Sequence, residues 1–114
     1  MITFSCKQIS QEDLVRCAFG LNKTAYNLLI FLLKKDRKYT ATQIAELLNL
    51  DRTTVQKAVK DLASKGLVER SQMNLEKGGY TFFYRINGKE QIKSRILQII
   101  NDWCKRVEEA VNQL

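Results

Sequence analysis

The chain of 114 residues has no histidine, no proline and only three cysteines. Without histidine, the commonest general base and the commonest zinc ligand are both missing. Cys6, Cys17 and Cys104 stand far apart, so no CxxC pair offers a zinc site or a redox dithiol. An odd number of scattered cysteines points to buried or free thiols rather than a disulfide framework. Such a set predicts no catalytic residue, no metal, no cofactor and no enzymatic activity. Long apolar runs are also lacking: the longest strongly apolar stretch covers residues 28–33, against the roughly 20 residues of a membrane-spanning helix. The first ten residues alternate polar with apolar and lack the charged start of a secretory signal. The sequence therefore predicts a cytoplasmic protein with no membrane partner.

What remains is a globular composition with an uneven charge. Apolar residues make up 45% and aromatic residues 9% of the chain, enough for one modest core and too much for a disordered chain. The formal net charge is +7. Residues 22–88 hold twelve basic against six acidic side chains, whereas residues 1–21 hold two of each and residues 89–114 five against four. Charge concentrated in one segment implies a polyanionic partner for that segment.

The pattern of apolar residues predicts the elements. Ile2, Phe4 and Cys6 alternate with polar residues, as in a short strand or an arm packed on a neighbour. Ser10 and Asp13 resemble a capping box for a helix running to about Phe19, with Gly20 as its C-cap. A second helix begins near Asn22 and carries Ala25, Leu28, Leu29, Leu32 and Leu33 on one stripe. Thr40 and Gln43 form another capping box, for a short helix from Ala41 to Leu48 that buries Ile44, Ala45, Leu47 and Leu48. Asn49 and Leu50 make a tight turn, and Asp51 caps a helix from Arg52 to about Lys65 that buries Val55, Ala58, Val59 and Leu62. Two short helices joined in this way form a helix-turn-helix. Leu67 to Gln72 and Tyr80 to Ile86 read as strands joined by the loop from Met73 to Gly79. The fold class is thus mostly α with a small β-hairpin, an α+β winged helix-turn-helix. An N-terminal helix and a long C-terminal helix flank it. Residues 1–88 are read as the winged-helix module with its N-terminal extension and residues 89–114 as the terminal helix of the same structural unit.

The face opposite Val55, Ala58, Val59 and Leu62 is set by helix geometry and is suited to a DNA groove. Arg and Lys donate to guanine, Gln pairs with adenine and Thr meets a thymine methyl. Arg52, Thr53, Gln56 and Lys57, in the first turns, are the expected base-reading residues. Lys60 is expected to reach phosphate, and Thr54 to support the cap or touch phosphate. Thr40 and Thr42, opening the preceding helix, add hydroxyl and backbone N–H donors for phosphate. On the wing, Lys77 near the tip and Arg70 and Arg85 on the strands supply further positive charge.

The last helix carries a heptad seam. Ile96, Ile100, Trp103, Val107, Ala110 and Leu114 step by 4, 3, 4, 3 and 4, and Ile92, Ile99 and Val111 add a flanking row. About 25 residues extend roughly 38 Å, longer than a small winged-helix body needs for cover. These positions are the expected homodimer contact, with the helix folding back over its own domain as the other arrangement.

Three stretches carry a family resemblance: FGLNKTAYNLLIFLLK, TATQIAELLNLDRTTVQKAVKDLASKGLVER and GGYTFFYRI. Together, over about residues 19–86, they resemble the winged-helix domains of archaeal TrmB-like and MarR-like transcription regulators. The resemblance implies that the helix from Arg52 to Lys65 enters the major groove at one half-site of a dimer. Effector binding by a large sugar-binding domain, as in full-length TrmB proteins, is not expected, and the terminal helix resembles that of the small single-domain archaeal members, which dimerise through terminal helices. The expected function is a homodimeric, sequence-specific regulator of double-stranded DNA; the competing reading is a winged helix that docks another protein. No residue pattern specifies a small-molecule effector.

Overall fold

The computed structural model describes residues 2–114. The chain divides into two compact units: Asn22–Asn87, and the segment up to Leu21 together with Gly88–Leu114.

The central unit, Asn22–Asn87, begins with α2 (Lys23–Lys34), following α1 (Gln11–Phe19) of the other unit. Asn22 caps α2 by accepting the Ala25 N–H at 2.8 Å. In α3 (Ala41–Leu48) the Thr40 hydroxyl accepts the Gln43 N–H at 3.1 Å and the Gln43 side chain accepts the Thr40 N–H at 2.9 Å. This capping box satisfies donors that a helix start otherwise leaves unpaired. Asn49 then takes a left-handed φ of 55°, a conformation that Asn tolerates better than most residues. The chain thereby turns into α4 (Arg52–Ser64). Beyond it, β3 (Val68–Asn74) and β4 (Tyr80–Ile86) pair antiparallel, from Val68 opposite Ile86 to Asn74 opposite Tyr80. Tyr39 adds a bridge on the outer side of β4 through two backbone bonds with Tyr84, 3.0 and 2.7 Å. The core consists of Leu28, Leu29, Leu32, Ile44, Val55, Val59, Leu62 and Leu67, all fully buried.

In the other unit, β1 (Ile2–Thr3) pairs antiparallel with β2 (Gln8–Ile9). α1 packs against α5 (Lys89–Asn112). The capping box of α1 forms as expected: Ser10 Oγ accepts the Asp13 N–H at 3.0 Å, and the Ser10 N–H donates to Asp13 at 3.3 Å. Donation to the Asp13 carboxyl from Ser10, by its hydroxyl foremost and then by its backbone N–H, holds that carboxyl below the ordinary carboxylate range. A depressed carboxylate stabilises the fold above its unfolded pKa, and that contribution is lost as pH falls through the folded value. Ser10→Ala is expected to destabilise the protein by about 0.5–2 kcal/mol. It is also expected to move the Asp13 titration upward, as followed by carboxyl-carbon NMR; an unmoved midpoint would exclude the cap as its cause.

Four details depart from the sequence reading. Leu47 is not in the core but 60% exposed, and Ala41 takes its place at the core face. At 100° per residue Ala41, Ile44, Ala45 and Leu48 cluster on one side of α3, and Leu47 falls well outside that sector. Asp51 stands at the N-cap of α4 with extended backbone, but its side chain makes no capping bond. Met73 and Asn74 belong to β3, because the ladder continues to their partners Thr81 and Tyr80, so the wing loop spans only residues 75–79. At the N-terminus, extended pairing stops after Thr3, and Phe4 and Lys7 exchange backbone bonds that turn the chain into β2.

Candidate nucleic-acid interface

α4 is divided along its length. Val55, Ala58, Val59 and Leu62 are 0–6% exposed, while Arg52, Thr53, Gln56, Lys57 and Lys60 all lie on the solvent side. Steps of three and four residues bring these five together on one surface of two and a half turns. Thr54 is half-buried instead. It lines a recess of about 180 Å³ with Asn22 and Thr24 of the α2 start and with Lys57 and Asp61 of α4. Along the same helix, Asp61 is engaged by Lys65 at 3.1 Å.

The two threonines of α3 differ. Thr40 is half-buried with its hydroxyl committed to the cap, and Thr42 is exposed. On the wing, the Arg70 guanidinium stacks over the Phe82 ring at 4.3 Å, while its charge remains exposed to solvent. Phe82 in turn meets Tyr80 edge-on at 5.3 Å. Lys77 lies exposed in the loop closed by Gly78 and Gly79, whose φ values of 90° and 79° suit glycine alone. Arg85, the third cation read for the wing, is held by Asp36 at 3.0 Å. That hydrogen bond lowers the Asp36 pKa and raises the Arg85 pKa. Arg85 thus stands in an ion pair that is itself exposed to solvent.

Three features escaped the sequence reading. The wing carries exposed Met73, Leu75 and Tyr80, at 49–59% exposure, so its end is apolar as well as basic. A polar recess links Thr54 to the start of α2, which are distant in sequence. Leu97, on α5, is 65% exposed; its spacing of seven from Cys104 and Val111 was the available signal. Among the expected dimer positions, Ile92 is buried, Ile96, Ile99 and Ile100 are half-buried, and Trp103, Val107, Ala110 and Leu114 are exposed. All three cysteines are free and exposed. Among the described residues no helix is long and apolar enough to cross a membrane.

A helix-turn-helix followed by a two-stranded wing, with a basic outward face on the second helix, is the winged-helix architecture. The chain belongs to the TrmB family: the family model, described as sugar-specific transcriptional regulator TrmB, matches residues 15–88. A Methanosarcina mazei protein described as a possible transcriptional regulator is 37% identical, with a TM-score of 0.93 over 99% of this chain and 95% of that one. The ST1889 protein of Sulfolobus tokodaii is 25% identical, with a TM-score of 0.69 over 89% of this chain and 94% of its own. An uncharacterized protein of Methanocaldococcus jannaschii is 33% identical across 96% of this chain and 82% of its own length.

Proposed function

We propose that the protein is a homodimeric regulator that recognises an inverted repeat in double-stranded DNA. Each protomer lays α4 in the major groove, with Arg52, Thr53, Gln56 and Lys57 at base edges. Lys60, Thr54, Thr40, Thr42, Arg70 and Lys77 act on phosphate or at the minor groove. The observation that carries this reading is the division of α4. One face is sealed in the core, and the other presents donors of the kinds that distinguish base pairs, with no acidic residue among the five.

Selection of the protein against random duplexes tests the proposal. Titration of the winning duplex and a shuffled control follows, at two salt concentrations. An inverted repeat with half-sites about 34 Å apart is the expected result. Tight binding without a motif would replace it with an architectural role. One observation favours a second reading, a module that docks another protein: the exposed Met73, Leu75 and Tyr80 of the wing. No duplex binding at low salt would put that reading first.

A further inference from the structure

The C-terminal half of α5 leaves its apolar residues without cover. Residues 101–114 are all exposed, including Trp103 at 51%, Val107 at 39%, Val111 at 56% and Leu114. With Leu97, these side chains leave on the order of 500 Å² of apolar surface on one helix. That is the apolar share of a standard interface of about 800 Å² per partner. Building on the homodimer reading above, we propose that two copies pair through α5 in antiparallel register about residue 105, and that each copy closes an open groove of the other.

The register follows from the spacing. With Ile100, Val107 and Leu114 at a, and Ile96, Trp103 and Ala110 at d, the stripe is symmetric about residue 105. Reversing one helix sets Ile96 against the partner's Leu114, Ile100 against the partner's Ala110 and Trp103 against the partner's Val107. The preceding seam positions, Lys93 and Lys89, are charged, so the apolar stripe starts at Ile96.

Direction is decided by the rows flanking the seam. In a parallel pair, row e of each helix meets row g of the other; in an antiparallel pair, e meets e and g meets g. Row g is covered in the first half of the helix, whereas Arg106 and Gln113 further along it are exposed. Ile92 is 5% exposed, and Ile99 is half-buried and lines a groove with Leu14, Cys17 and Ala18 of α1. Row e is the free one: Leu97, Cys104 and Val111 are all exposed. A parallel pair would drive this free row against an occupied one. Antiparallel pairing joins Leu97 to the partner's Val111 and leaves mainly Arg106 and Gln113 on the other flank, polar residues that suit a solvated rim.

The same arrangement completes the groove. It measures about 490 Å³ and is walled by Ile2, Phe4, Leu14, Ile99, Ile100 and Trp103. Ile2 and Phe4 are each about half exposed. Three of its wall residues belong to α5, where the partner's Val107 and Ala110 come to lie.

Thiol cross-linking of the full chain tests the register, in a background carrying Cys6→Ser, Cys17→Ser and Cys104→Ser. In antiparallel pairing Leu97 is about 24 Å from the partner's Leu97, at 1.5 Å per residue. A cross-linker shorter than that spacing is expected to give a covalent dimer with the Leu97→Cys/Val111→Cys double variant and with neither single variant. These positions are exposed, so folding is not at stake. Ile96→Cys alone serves as the parallel control, since d meets d only in a parallel pair. Cross-linking of Ile96→Cys alone, or none of the double variant in a protein of dimer mass, would overturn the register and leave the dimer standing. A monomer mass by light scattering at micromolar concentration would overturn the dimer itself, while the duplex selection separately tests DNA recognition.

Discussion

Raising the salt from about 50 to about 200 mM is expected to weaken operator binding by about a thousandfold, because a dimer that commits Lys60, Arg70 and Lys77 from each protomer to phosphate releases about six counterions. Lys60→Ala should weaken every duplex alike and reduce the slope of log K against log salt by about 2 per dimer. Arg52→Ala and Gln56→Ala should behave differently. Each removes a base-edge contact worth about 1–3 kcal/mol per half-site, so the loss falls on one base position and its symmetry mate. The contrast rests on where the side chains leave α4. Arg52 and Gln56 belong to the first turns of α4, whereas Lys60 lies a further turn along. Fluorescence titration against a panel of operator variants reads both effects. An Arg52→Ala protein that selects the same half-site as the parent would remove Arg52 from readout. Selective loss at one base in Lys60→Ala would move that lysine into it.

Leu62→Ala is expected to cost about 2–5 kcal/mol of stability, since it opens a cavity where α4 meets the core. Leu62 is fully buried, and a loss of this size is a large part of the 5–15 kcal/mol that holds a typical domain together. Leu47→Ala should change stability by no more than about 0.5 kcal/mol, because that side chain is already in water. Urea titration by circular dichroism, with hydrogen exchange of the α4 amides, separates the two. A Leu47→Ala cost as large as that of Leu62→Ala would contradict the orientation of α3. Lost α4 protection also connects packing to function, because the donors on the outward face are held in place only by the inward one.

Much of the winged module was legible because its signals are local. The Ser10–Asp13 and Thr40–Gln43 boxes need only residues three apart, and the inward face of α4 follows from a spacing of three, one and three. Leu47 was misplaced because adjacent leucines both look apolar, whereas helix rotation separates them by 100°. The pairing of Arg85 with Asp36 is not legible in the sequence, since the two stand 49 positions apart. The half-burial of Thr54 has the same origin: its recess is walled by the start of α2.

By itself, the sequence determined the winged-helix class, the basic central segment and the face of α4 that turns to solvent. Each of these depends on periodicity and capping within a few residues. Only the tertiary structure decided which cations stay free, how apolar the wing tip is and which flank of α5 is already occupied. Those depend on partners brought together from distant parts of the chain. Ile99 and Leu97 look alike in the sequence, yet one packs beside α1 and the other faces water. The physical reason is that burial belongs to a pair of surfaces, and the second surface is supplied by the fold.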